Sequence, residues 1–397
     1  MTSDLAEYLQ KQRWFGAKSR QIRTLQILDS AVFFESKTPL NLVSVAYFDG
    51  PGDVYFLLDV DDPATRAALL SLIEDERQIP TTLGLIRGRR SRYKPTHGTL
   101  PSHLVTSEQS NSSIIFGDLL ILKLFRRQQP GENPDCELSR YLTEHTTFTH
   151  IPPFAGSIEY ERNGDTYTLG MLQGLVANEG DGWTWTLKNL TTNSYLTAAA
   201  TLGRRTAEMH AALATYAPEP LQTADLEQLA HDMARHASRS LRCFDRLRGL
   251  NPGSQRIRIH GDYHLGQVLR VPDDFVILDF EGEPSKTLAE RRTKHSPLKD
   301  VAGMLRSFSY ASYTALSDEA QRAAWEQSVS AAFLAAYKQQ AGVAPFLPAD
   351  PHDFNTILEA YVVDKAFYEL NYERNNRPAW VHIPLAAISA SHGENLL

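Results

Sequence analysis

Cysteine is nearly absent: Cys136 and Cys243 are the two among 397 residues, and neither stands in a C-x-x-C pair or beside a histidine cluster. One bridge at most can form, which excludes a disulfide framework and a thiolate metal site. Both cysteines read as reduced core residues. Long apolar runs are also missing. The best, Leu119 to Phe125, is interrupted by Lys123 and falls well short of the roughly 20 residues that span a bilayer. The first residues carry Asp4, Glu7, Lys11 and Arg13 without an apolar core segment, so no secretory signal is expected and a cytoplasmic location is. Nor is there a basic excess. Forty Lys and Arg face 47 Asp and Glu for a net charge of -7, leaving nothing to neutralise a nucleic-acid backbone. No fixed-period repeat or low-complexity tract occurs. What is present is an ordinary globular composition, 42% apolar and 22% charged, long enough for two or three packed units.

The order of patterns suggests three regions. An amphipathic start (Leu5, Tyr8, Leu9) breaks at Gly16. Alternating segments Ile22 to Asp29, Leu42 to Phe48 and Val54 to Val60 follow, the last two joined by Asp49-Gly50-Pro51-Gly52-Asp53, as in a small antiparallel sheet. Asp62-Pro63 then opens a helix with an apolar stripe, and Arg87 to Arg92 closes the region. From Leu104 come strand, polar loop, strand and strand, then a helix opened by Asn133-Pro134. Beyond residue 178 the chain turns mainly helical, with helices expected around 196–214, 224–249, 298–315, 318–340 and 354–374. The expected domains are 1–90, 91–177 and 178–397.

One segment carries chemistry. Ile259-His260-Gly261-Asp262-Tyr263-His264-Leu265-Gly266-Gln267 is followed by the hairpin pattern Val268–Val271 and Phe275–Leu278, and then by Asp279-Phe280-Glu281-Gly282. A strand ending in His-Gly-Asp puts one carboxylate on a loop, and the next hairpin can bring a second to the same cleft. Phosphoryl transfer uses such a pair: one group orients and accepts the proton of an attacking hydroxyl, the other helps hold Mg²⁺ on the nucleotide phosphates. Asp262 suits the first role, Asp279 and Gln267 the second. His260 reads as ordering the loop, and Asp300 either braces it or caps a helix.

His-Gly-Asp-x-x-x-x-Gln and Asp-Phe-Glu-Gly resemble the motifs of kinases of the protein-kinase-like fold, in the branch of aminoglycoside phosphotransferases and bacterial maltokinases. Gln12-Arg13-Trp14-Phe15, Ser296-Pro297-Leu298-Lys299-Asp300-Val301-Ala302-Gly303-Met304 and Tyr368-Glu369-Leu370-Asn371-Tyr372-Glu373 to Trp380 are similar to maltokinase segments, so the likeness covers nearly the whole chain. It implies an α+β, bilobal fold with an N-terminal cap domain of mainly antiparallel sheet and a helical C-terminal lobe. It implies ATP and Mg²⁺ as well. Lys123 falls where such kinases carry the phosphate-contacting lysine, paired with a helix glutamate, here Glu137; an edge-strand lysine and a surface pair of Glu137 with Arg140 are the plain alternatives. The stretch from Ser107 to Ser113 falls at the glycine-rich flap yet holds no glycine, so Ser110, Asn111, Ser112 and Ser113 become the phosphate candidates. A simple hairpin loop is the alternative. Gln173 and Leu175 fall at the adenine-contacting hinge.

For the sugar, the resemblance implies Arg306, Lys365, Glu369, Tyr372, Arg377 and Trp380 beside Asp262, where stacking aromatics and paired hydrogen-bond donors meet. An amphipathic helix burying its tyrosines accounts for the same spacing. Maltose is the expected acceptor, giving maltose 1-phosphate for α-glucan synthesis linked to trehalose, with docking to a trehalose- or maltose-processing enzyme as a further expectation. One rival acceptor is glucosamine or another amino sugar, for whose ammonium Glu281, Glu369 or Glu373 would supply a carboxylate. A catalytically silent sugar-binding or docking module is the other rival.

Overall fold

The computed structural model describes residues 2–33, 38–105, 111–192 and 194–390, and the chain divides into two compact units at Val176/Ala177. In the first, α1 (Thr2–Lys11) precedes β1 (Ile22–Val32), β2 (Pro39–Tyr47) and β3 (Asp53–Leu58), which pair antiparallel. Asp62 caps α2 (Pro63–Glu74) by accepting from the N–H groups of Ala64 and Thr65, with Pro63 in the first turn where its missing N–H costs nothing. Next come β4 (Gln78–Pro80), β5 (Leu85–Arg90), β6 (Ser102–Leu104), β7 (Asn111–Phe116), β8 (Leu120–Phe125) and β9 (Arg127–Gln128). Asn133 caps α3 (Pro134–His145) in the same manner as Asp62 caps α2. The hairpin of β10 (Phe154–Arg162) and β11 (Asp165–Gly174) completes the unit.

The strands form a seven-stranded antiparallel sheet in the order β4-β5-β10-β11-β8-β7-β6 and a four-stranded one, β1-β2-β3-β9. Phe56, Leu69, Leu72, Ile73, Ile86, Leu122 and Ile158 join both sheets and α2 in one core, while Trp14 and Phe15 pack with Leu9, Val43, Val45 and Tyr55 in a second. The expected boundary near residue 90 runs through a sheet. β5 pairs with β10 from Gly156↔Arg90 to Glu161↔Leu85, and β9 returns to β3. These partners lie far apart in the chain, which local patterning does not register.

The second unit holds α4 (Gly182–Asn189), α5 (Tyr195–Leu213), β12 (Glu219–Pro220), α6 (Thr223–His236), α7 (Arg242–Asp245), β13 (Gln255–Arg256), the hairpin β14 (Val268–Val271) and β15 (Asp274–Ile277), α8 (Leu288–Arg291), α9 (Leu298–Ala315), α10 (Glu319–Ala341), α11 (Pro351–Asn376) and α12 (His382–Ala390). The helix expected over 224–249 is two: α6 stops at His236, Ser238 turns to φ 56°, and Ser240 Oγ bonds the Asp245 carboxylate at the head of the next turn. α5 packs on α10 and α11 on α9. The expected α+β class holds. Cys136 and Cys243 are buried and unbridged, and among the described residues no helix is long and apolar enough to cross a membrane.

Candidate active site

In the second unit one face of α9 holds the loop that carries Asp262. Asp300, Gly303 and Ser307 recur at steps of three and four, so they share a stripe of the helix. The buried Asp300 accepts from the backbone N–H of His260 at 2.8 Å and of Gly261 at 2.9 Å. Behind it stands His210 Nε2 at 3.1 Å, and His210 Nδ1 is 2.9 Å from the Tyr337 hydroxyl. Ser307 Oγ takes the Leu265 N–H at 3.0 Å. At Gly303 a Cβ would lie 2.5 Å from the Tyr263 carbonyl oxygen, so the loop touches the helix only because that side chain is missing. Gly261 turns at φ 86°, a region open to glycine. The His260 ring lies over Tyr263 and Phe280, and its Nε2 bonds the Leu278 carbonyl at 2.7 Å. Thus Asp300 and His260 brace, and Asp262 projects from a fixed backbone. His264 accepts the Gly266 N–H at 3.0 Å, and burial pushes its pKa down, against the pull of Asp262; it serves as an acceptor that closes the turn.

The hairpin β14–β15 returns the chain so that Gln267 and Asp279 face each other. Leu278 N–H donates to the Gln267 carbonyl at 2.9 Å, and Gln267 Nε2 donates to Asp279 Oδ2 at 3.0 Å. Asp279 stands at φ 64°, a backbone that Asp tolerates at some cost and that tends to mark functional positions. A carboxylate and a carboxamide oxygen are the hard donors Mg²⁺ takes, and neighbouring side chains that carry one of each are a donor set that fits the ion.

Next to Asp262 opens a cavity of about 520 Å³. α11 lines it with Lys365, Tyr368, Glu369, Tyr372 and Glu373, spaced along one helix face, and Arg377 and Trp380 follow. Trp183, Asp181 and Tyr310, which the sequence reading did not single out, line it as well; Trp183 follows an Asp-Gly helix start, and only the fold turns it here. Two of the cavity's carboxylates, Glu369 and Glu373, are paired with arginine. Arg306 donates twice to Glu369 Oε2, at 2.9 and 2.7 Å, and Arg377 donates to both oxygens of Glu373, at 2.6 and 2.9 Å, with the Tyr310 hydroxyl 3.1 Å from one of them. Arg377 also stacks on Trp380, 4.6 Å from its centroid. Arg306 itself does not line the cavity, contrary to expectation: it is buried behind Glu369 and holds it. Burial works against its charge, and the neighbouring carboxylate outweighs burial, raising its pKa.

In the first unit several nucleotide expectations change. Lys123 on β8 meets Asp135, on α3, at 3.0 Å, two residues before the expected Glu137. Glu137 is buried on the same helix. Asn111, Ser112 and Ser113 are not loop residues but the start of β7, opposite Phe125, Leu124 and Lys123. Ser113 is buried and Ser112 Oγ accepts from Arg126 at 2.9 Å. Ser110 lies outside the described residues. Gln173 bonds Ser139 at 3.3 Å, and the Leu175 N–H is taken by the Leu119 carbonyl at 2.8 Å.

No family model matches the chain. A glucosamine kinase of Streptacidiphilus jiangxiensis is 25% identical over 310 residues, 70% of each protein. One of Mycolicibacterium smegmatis is 26% identical over 320 residues, 72% of this chain and 78% of the relative. A solved glucosamine kinase in complex with glucosamine, ADP and inorganic phosphate superposes with a TM-score of 0.72 over 100% of both chains, at 20% identity. The fold is that of glucosamine kinase. A further crystal form of glucosamine kinase gives 0.72 over 95% of each chain.

Proposed function

We propose that the chain is an ATP-dependent phosphotransferase acting on a sugar hydroxyl, with an amino sugar of the glucosamine type as acceptor. The observation that carries the reaction is Asp262, fixed on a braced loop beside the Gln267–Asp279 pair and at the edge of an aromatic cavity. The glucosamine kinase relatives, found both by sequence and by fold, move the acceptor from the expected maltose to the amino sugar. One observation keeps a disaccharide as second reading: about 520 Å³ lies within the roughly 300 to 1,000 Å³ that holds drug-sized ligands, which leaves room for a second ring.

In the reaction, the cavity presents one sugar hydroxyl to Asp262. As that oxygen bonds to the terminal phosphorus of ATP, its O–H bond breaks and the proton passes to the Asp262 carboxylate. The phosphorus–oxygen bond to ADP breaks with its electron pair on ADP. Gln267 and Asp279 would hold Mg²⁺, which when bound offsets charge on the phosphates. Lys123, kept in place by Asp135, is the proposed phosphate contact of the first unit. The aromatic side chains exclude water, so that the sugar rather than water is the acceptor.

The test is ADP release from Mg-ATP with glucosamine, maltose, glucose or no sugar. Glucosamine-dependent release is expected, and Asp262→Asn should lower it roughly 10² to 10⁴-fold, the usual worth of a positioned general base. Release that persists in that variant refutes the assignment of Asp262.

A further inference from the structure

The loop from His260 to Gln267 contains no lysine or arginine, yet an ammonium stands against its aspartate. Lys365, from the middle of α11, places Nζ 3.3 Å from Asp262 Oδ1 and 3.1 Å from Glu283 Oε1. Its ammonium also lies 4.6 Å from the Tyr368 ring centroid. Glu283 is held in turn: it is buried, and Lys286 approaches its other oxygen at 3.5 Å. Asp262, Lys365, Tyr368 and Gly303 line both the large cavity and a small one of about 60 Å³ behind the loop, so they form the wall between the two. Two carboxylates take two of the three N–H donors of this ammonium and leave one for anything else.

We infer that Lys365 is a positioning residue rather than a sugar ligand: anchored on Glu283, it ties down one oxygen of Asp262 so that the other is directed at the acceptor hydroxyl. This rests on the reading of Asp262 as the group that takes the hydroxyl proton. Orientation matters here because phosphoryl transfer offers the protein little covalent chemistry, and a base misplaced by an ångström can lower turnover about a hundredfold. Glu283 acts only through Lys365, and the two should therefore behave as one unit.

The experiment measures kcat and KM for ATP and sugar, with thermal melts, for wild type, Lys365→Met, Lys365→Arg, Glu283→Gln and the double variant Lys365→Met/Glu283→Gln. The double variant removes the more buried of the two anions that Lys365→Met strands, so it remains informative where the single variant folds poorly. Lys365→Met should lower kcat roughly a hundredfold with both KM values within about twofold, and Lys365→Arg should recover part of the loss. Glu283→Gln should lower kcat less, and the double variant should match Lys365→Met instead of multiplying the two losses. A rise in sugar KM at unchanged kcat would make Lys365 a sugar ligand and overturn the inference, as would strictly multiplicative losses. Wild-type release with and without sugar, read in the same series, separates failure of this inference from failure of the kinase reading.

Discussion

Asp300 is wholly buried, and its carboxylate is saturated by two loop N–H groups and His210. Burial opposes its ionisation, but the hydrogen bond and charge of His210, the charge of His260 and the Gly261 N–H outweigh burial and hold its pKa below the ordinary carboxylate range. A folded-state value below the unfolded one, near 3.9, gives stability that is complete above that pH and is lost as pH falls through the folded value. Asp300→Asn should therefore flatten the acid limb of stability below about pH 4 and cost about 3 kcal/mol at pH 7. Denaturant melts between pH 3 and 7 decide it; parallel acid limbs in the two proteins would refute the assignment. The motif made Asp300 readable as brace or cap, and three dimensions chose the brace. Lys123 was readable as a residue, its partner was not. Asp135 and Glu137 sit on the same helix, and nothing in their spacing says which of them turns to β8.

Among elements, α9 sets the loop. At Gly303 two effects oppose: alanine gains about 1 kcal/mol of helix propensity over glycine, whereas its Cβ would press on a backbone oxygen at 2.5 Å, which yields only if the loop moves. Contact should win, so that Gly303→Ala lowers both the melting temperature and kcat, the latter by about tenfold or more; a higher melting temperature with unchanged kcat would show that the loop is not held there. Elements with local signals were legible. Asp62-Pro63, Asn133-Pro134 and the turn Pro272-Asp273-Asp274 each stand where a helix or hairpin begins or bends. Elements fixed by distant partners were not. β10 was missed, β5 was set apart from its sheet, and Ser112 and Ser113 passed for a loop because a polar strand looks like one until its neighbours are known.

For the molecule as a whole, the reaction class was legible and the acceptor was not. Asp262, Gln267 and Asp279 lie within one short stretch with fixed spacing, whereas the large cavity draws on residues from Asp181 to Trp380. Whether Glu369 or Glu373 is open to an ammonium depends on Arg306 and Arg377, which only the folded chain pairs with them. Nucleotide binding adds a global readout. Mg-ATP at about a hundred times its dissociation constant should stabilise the protein by about 2.7 kcal/mol, seen as a higher melting temperature. Lys123→Met takes the lysine partner from the buried Asp135 and should lower the melting temperature without nucleotide; it should also lose most of the nucleotide-dependent shift, and an undiminished shift would remove Lys123 from the proposed nucleotide contacts.

The stripe of Asp300, Gly303 and Ser307 against His260 to Leu265 has a consequence for length. One residue inserted between Asp300 and Ser307 would swing the later contact about 100° around the helix, and one inserted between Gly261 and Leu265 would leave the Ser307 hydroxyl facing the wrong amide. Neither segment can grow or shrink alone. Change in this part of the chain must proceed by substitution.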